Sequence, residues 1–176
     1  MSALSIPDTR DEAIAQAATA DWPELHQRIV ALQRAWHDAA AGLNHEEARS
    51  LVGEPESPDD DPWTVEQLCN HVARSLSHGA DTLSLVTVSK PAGYDGRYAL
   101  LAGEPSFDHV QAVLAKAWTD LLAAAKTVAK QPERGAIIDT ARGAMSARQL
   151  VGLITWHVDA HTTQIRALRA DGTKAG

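Results

Sequence analysis

In four stretches of this chain, apolar residues recur every three or four positions. That spacing gathers them on one side of an α-helix and would scatter them across both faces of a strand. Leu25, Ile29, Leu32, Trp36, Ala40 and Leu43 mark a helix over about Pro23 to Leu43, and Asp21 ahead of Trp22-Pro23 suits its start. Val65, Leu68, Val72, Leu76, Leu83 and Val86 mark a second, opening at Trp63-Thr64. Phe107, Val110, Leu114, Ala117, Leu121 and Val128 define a third over about Ser106 to Ala129. Leu150, Ile154, Ile165 and Leu168 define a fourth, from Ser146 to about Asp171-Gly172. Thr64 with Gln67, and Ser146 with Gln149, have the spacing at which each side chain satisfies the other residue's orphan backbone N–H. Alternation of period two persists nowhere for more than a few residues.

Four such helices must cover one another's stripes, which predicts an all-α chain folded as a four-helix bundle. Its connections, roughly 15–20 residues long, exceed the usual 2–8 of a plain bundle and predict a crossover or loops over one end. Asp11 to Ala20 reads as a short additional helix, and Ala136 to Asp139 as a short extended piece. The 176 residues suit one domain, 1–176, with 1–20 peripheral and 172–176 a frayed tail. A formal net charge of -7 argues against a nucleic-acid partner. One cysteine, Cys69, excludes an intramolecular disulfide framework and reads as a small packing residue. No run approaches the roughly 20 apolar residues of a membrane span, and Met1 to Arg10 has no signal-peptide design, so the expected compartment is the cytoplasm.

Eight histidines against one Phe and two Tyr direct attention to imidazole chemistry. His157 and His161 stand four apart in the middle of the fourth apolar stripe, as neighbours on one helix face. Burying two imidazoles side by side is costly unless their nitrogens find partners, and a divalent metal partners both at once. His71 lies on the flank of the second stripe, near a seam between helices, and is the third candidate ligand. His78, seven residues on, shares nearly that face and is the rival ligand or a supporting residue. Three imidazoles leave a coordination position open, as in catalytic rather than structural zinc-type sites. The alternative is that these histidines are core residues hydrogen-bonded to backbone. His157-Val158-Asp159-Ala160-His161 is not the zincin motif, since Val158 stands where that motif requires Glu, and Asp159 points away from the two rings. His26, His37, His45 and His109 read as solvent-side.

Trp63-Thr64-Val65-Glu66-Gln67-Leu68-Cys69-Asn70-His71 and the run from Leu153 through His157 and His161 to Gln164-Ile165 together resemble the DinB-like superfamily of bacterial helical proteins. The resemblance spans about Pro23 to Leu168, with Thr163 standing where members often have Gly. It implies a bundle holding a divalent metal, zinc or nickel, on His71, His157 and His161. It also implies a homodimer, and an activity like that of members that join a low-molecular-weight thiol to an electrophile, mycothiol-dependent maleylpyruvate isomerase among the relatives.

Three functions are therefore expected in competition. The first is a metal-dependent thiol S-transferase or related detoxification enzyme, whose small-molecule thiol could be held at its carboxylates by Arg142, Arg148 or Arg166. The second is a non-catalytic metal- or ligand-binding dimeric bundle, with Trp156 either covered by a loop or part of a partner surface. The third is a metal-dependent hydrolase, for which the sequence offers no evident general base.

Overall fold

The computed structural model describes residues 6–53, 62–86, 106–130, 138–140 and 143–172. They form α1 (Arg10–Thr19), α2 (Trp22–Ala40), α3 (His45–Ser50), α4 (Val65–Val86), α5 (Phe107–Ala129), β1 (Ile138–Thr140), β2 (Gly143–Met145) and α6 (Ala147–Gly172). The chain is thus mostly helical, and β1 and β2 pair as one antiparallel hairpin. The long connections expected between helices fall largely outside the described residues, as does the tail beyond Gly172.

Each helix begins where a side chain can take up its orphan amides. Thr9, Asp21 and Ser106 accept from Glu12, Glu24 and His109, opening α1, α2 and α5. Thr64 and Gln67 exchange bonds of 2.8 and 3.2 Å at the start of α4, and Ser146 and Gln149 do the same at α6. Both predicted capping boxes are therefore present. The first long helix stops at Ala40 rather than reaching Leu43, because the chain leaves the helical region at Ala41 and Gly42 takes φ of +74°. Sequence reasoning passed over α3, whose own capping box joins Asn44 to Glu47. The extended piece expected near Ala136 to Asp139 overlaps β1 at Ile138 and Asp139, with Ala136 and Ile137 outside the described residues.

The predicted stripes meet in one core. α2 packs on α5 and α6, and α4 packs on the same two helices. Leu25, Ile29, Leu32 and Trp36 of α2 are buried with Leu68, Val72, Leu76 and Leu83 of α4. Trp118 adds a fully buried indole from α5 beside the stripe residues Leu114 and Leu121. α6 differs from a one-sided amphipathic helix. Beyond Leu150, Ile154 and Ile165, it also buries Val151, Thr155, Val158 and Thr162. The reason is α1, which packs along α6 with Ala13 and Ala17 buried. The two buried threonines turn their hydroxyls back onto helix carbonyls, Thr155 to Val151 and Thr162 to Val158, and so remain satisfied.

α1 also accounts for Trp156. Its ring is half-buried, and its Nε1 donates to the carbonyl of Asp8 at 3.2 Å, just ahead of α1. The N-terminal segment thus meets this side of α6.

At the α1–α6 contact a β-carbon on Gly152 would stand 2.5 Å from the Ala17 methyl and 2.6 Å from the Ala13 carbonyl oxygen. Gly152→Ala would gain helix propensity of about 1 kcal/mol. The backbone contact cannot yield as a side chain would, so the net change is predicted to be a loss of about 1–3 kcal/mol by urea unfolding.

Candidate metal centre

Two helices bring the expected residues together. The capping box at Thr64 fixes where α4 begins, which sets His71 on the side that faces α6. On α6, His157 and His161 are one turn apart on the face toward α4. Close approach of the two helices continues past the histidines at Gly79, where a β-carbon would come within 2.3 Å of the Ile154 Cδ1 atom. The seam is narrow because this position carries no side chain.

The three rings converge. Centroids lie 4.9 Å apart for His71 and His157, 5.1 Å for His71 and His161, and 4.6 Å for His157 and His161. One nitrogen of each lies within 4.8 Å of the others. The Nε2 atoms of His71 and His157 are 2.9 Å apart, and the Ser75 hydroxyl, one turn beyond His71, is 3.3 Å from His157 Nε2. Trp63 forms a side wall, its ring 4.8 Å from that of His71 and 6.5 Å from that of His161. His161 is 3% exposed, whereas His71 and His157 are half-buried, so the cluster is not sealed within the core.

Burial pushes the His71 imidazole down from 6.5 to about 4, with His161 and then Arg74 adding to the effect. This ring is consequently neutral at pH 7, as a metal ligand must be. His78 is also held below its ordinary value by burial, with Asp81 opposing, but it does not join the group of three. Burial raises the carboxyl of Asp159 while Arg166 opposes the shift, and Asp159 too stays outside the group. Glu66, on the first turn of α4, is buried and bonded to Arg49 at 2.8 Å. It ties α3 to α4 through Arg49 and His45 and stays outside the group of three.

The donor set suits a divalent cation. Two neutral imidazole nitrogens 2.9 Å apart repel unless one carries the hydrogen between them or both share a cation. Nitrogens bound at about 2.0–2.1 Å to one ion stand roughly 3.0–3.4 Å apart, close to the His71–His157 spacing. Three histidines placed in this way can bind a metal, and among the described residues no carboxylate or thiolate joins them. Comparison with protein-family models, curated proteins and solved structures gives no match.

The other candidates are dispersed. Arg166 donates to the Ala35 carbonyl at 3.1 Å, on the seam with α2, and Arg142 lies outside the described residues. Cys69 is fully buried, its thiol pushed up to about 12 by burial, and it accepts a weak bond from Gln111. That is the packing role expected of it. His37, His45 and His109 are exposed and His26 is half-buried. Thr163 is exposed, so its position requires no small residue. Sequence reasoning missed Ser75, the wall formed by Trp63, and Gln164, whose Oε1 lies 3.1 Å from His161 Nδ1. The last could have been found from its spacing, since a residue three beyond a helical histidine lies over the same face.

The metal-free protein is predicted to be sensitive to acid through His71. Its folded-state value lies below its unfolded one, so between about 6.5 and about 4 the unfolded chain binds more protons. Stability is therefore full above that window and falls as pH is lowered through it. Thermal unfolding in the presence of chelator checks this, and His71→Gln should flatten the slope across the same interval. Cys69 should stay unreactive to Ellman's reagent at pH 8 until the chain unfolds.

Proposed function

We propose that the protein is a divalent-metal-dependent thiol S-transferase built on a four-helix bundle, with His71, His157 and His161 as the ligands of zinc or nickel. What supports this reading above all is the convergence of three imidazoles from two helices, two of them with Nε2 atoms 2.9 Å apart. A ligand set of three neutral nitrogens leaves the ion's positive charge uncompensated and a coordination position open, which favours capture of an anionic sulfur. A cation there would lower the pKa of a bound thiol and present it as thiolate.

The protein's own residues supply the rest. His71 remains neutral at physiological pH because it is buried. Trp63 walls one side of the cluster against solvent, so that charges within it interact more strongly than in water. The Ser75 hydroxyl, beside His157, offers a hydrogen bond to a group approaching the cluster from α4. In the transfer itself the sulfur forms a bond to an electrophilic carbon as that carbon's leaving group departs with its electron pair, and the thiol proton passes to solvent. A thiolate is already a potent nucleophile, so no general base beside the site is required. Activation of water for hydrolysis places a greater demand on such a base, and among the described residues no carboxylate joins the three histidines to serve as one.

The test combines metal content with turnover. Purified protein is expected to hold one zinc or nickel per chain, and His157→Ala and His161→Ala to lose it while keeping their helical content. Metal-loaded protein, supplied with mycothiol, bacillithiol or glutathione and monochlorobimane, is expected to release chloride and form the fluorescent conjugate faster than metal-free protein. Metal uptake without conjugation by any of the thiols would overturn the transferase reading and leave a metal-binding helical protein. No metal uptake would overturn both.

A further inference from the structure

Between α3 and α4 the chain makes a strap across the start of α4. Gly53 N–H donates to the Trp63 carbonyl at 2.8 Å, Val65 N–H donates to the Leu51 carbonyl at 3.0 Å, and Val52 pairs with Thr64 as an isolated antiparallel bridge. Backbone bonds on either side therefore hold the strap in place. On its far side it meets α6. A β-carbon on Gly53 would stand 2.9 Å from Gln164 Nε2 and 3.3 Å from Leu168 Cδ1. The other end of that carboxamide, Oε1, lies 3.1 Å from His161 Nδ1.

The geometry points to Gln164 as the positioning residue of the site, seated by the strap at Gly53, which sets the tautomer of His161 and thereby its strength as a ligand. The inference rests on the metal reading given above. A carbonyl oxygen only accepts, so the partner nitrogen must carry the hydrogen: Nδ1–H donates to Gln164 Oε1. The neutral ring then has its lone pair on Nε2, the nitrogen left to face His71 and His157. Hydrogen bonding of the far nitrogen also fixes ring orientation and raises the basicity of the ligating one, and loss of such a partner typically weakens metal binding by 10- to 100-fold. The opposite seating, with Nε2 of Gln164 toward the ring, would favour the tautomer protonated on His161 Nε2, which cannot ligate through that atom.

Gly53 enters because of space. An alanine methyl at this position would press on the amide end of Gln164. The end of a flexible side chain can move, but only by shifting the oxygen that holds His161. Position 53 thus acts on His161 through Gln164 and is expected to tune the metal.

The experiment reads metal affinity and tautomer separately. Cobalt(II), a spectroscopic substitute for zinc, is titrated into wild type, Gln164→Leu, Gln164→Glu, Gly53→Ala and the Gly53→Ala/Gln164→Leu double variant. Gln164→Leu is expected to weaken cobalt binding by roughly 10- to 100-fold, and Gln164→Glu, which keeps the acceptor, to restore it. Gly53→Ala is expected to weaken binding only while Gln164 is present, whereas its effect on thermal stability should appear in both backgrounds. A purely structural role would move stability and affinity together.

Long-range 1H–15N spectra of metal-free wild type should show His161 protonated on Nδ1, with that preference lost in Gln164→Leu. Unchanged cobalt affinity in Gln164→Leu, or His161 protonated on Nε2 in wild type, would overturn the assignment while leaving the three-histidine site standing. Failure of wild type itself to bind cobalt would overturn the site reading, and the spectra of metal-free protein would still decide the role of Gln164.

Discussion

The contact between His71 and His157 across the α4–α6 seam is the constraint on which the rest of this structure turns. Two nitrogens 2.9 Å apart, each able to carry a lone pair, stand half-buried at the edge of a core of leucine, isoleucine, valine and tryptophan. Such an arrangement is costly without a shared proton or cation, and the helices are held firmly enough to impose it. Gly79 narrows the seam, the capping box at Thr64 sets the start of α4, and Trp63 closes one side of the cluster. Each acts on where the rings stand.

The surroundings of α6 explain how two histidines on one helix can be held so closely. This helix is packed by α4 and α2 and, along another side, by α1. Its contact with α1 is made through Ala13, Ala17 and Gly152, residues small enough to bring the backbones together. Its buried threonines bond to its own carbonyls, so the added burial leaves those hydroxyls satisfied. Arg166 and Arg169 bond to the Ala35 and Ala39 carbonyls of α2, fixing another side. A helix restrained from several directions has little freedom to rotate, and its imidazoles inherit that rigidity.

Much of this was legible in the residues. The four long helices followed from apolar spacing, and the starts of α4 and α6 from two capping boxes, because both are local properties of a helix. His157 and His161 stood out for the same reason: imidazoles at the core positions of an otherwise apolar stripe contradict that stripe. α3 was missed although Asn44 and Glu47 form a box of the same kind, since a helix of six residues has no apolar period to reveal it. The burial on both sides of α6 was missed because a helical wheel drawn for one helix carries no information about a second layer. Gln164 was overlooked as one polar residue among many on a helix surface, and Gly53 as one loop glycine among several.

By itself the amino-acid order determined which long segments are helical, where several of them begin, and that three imidazoles lie at or beside apolar stripes on two of them. Those properties depend on neighbours within about four positions, so they survive without knowledge of the fold. Only the tertiary structure decided that His71 faces His157 while His78 remains apart, and that a strap seats Gln164 against His161. These relations join residues 86 apart in the chain, or more than a hundred in the case of Gly53 and Gln164. Their distances follow from how whole helices cross and how small residues let them approach, which no periodicity encodes.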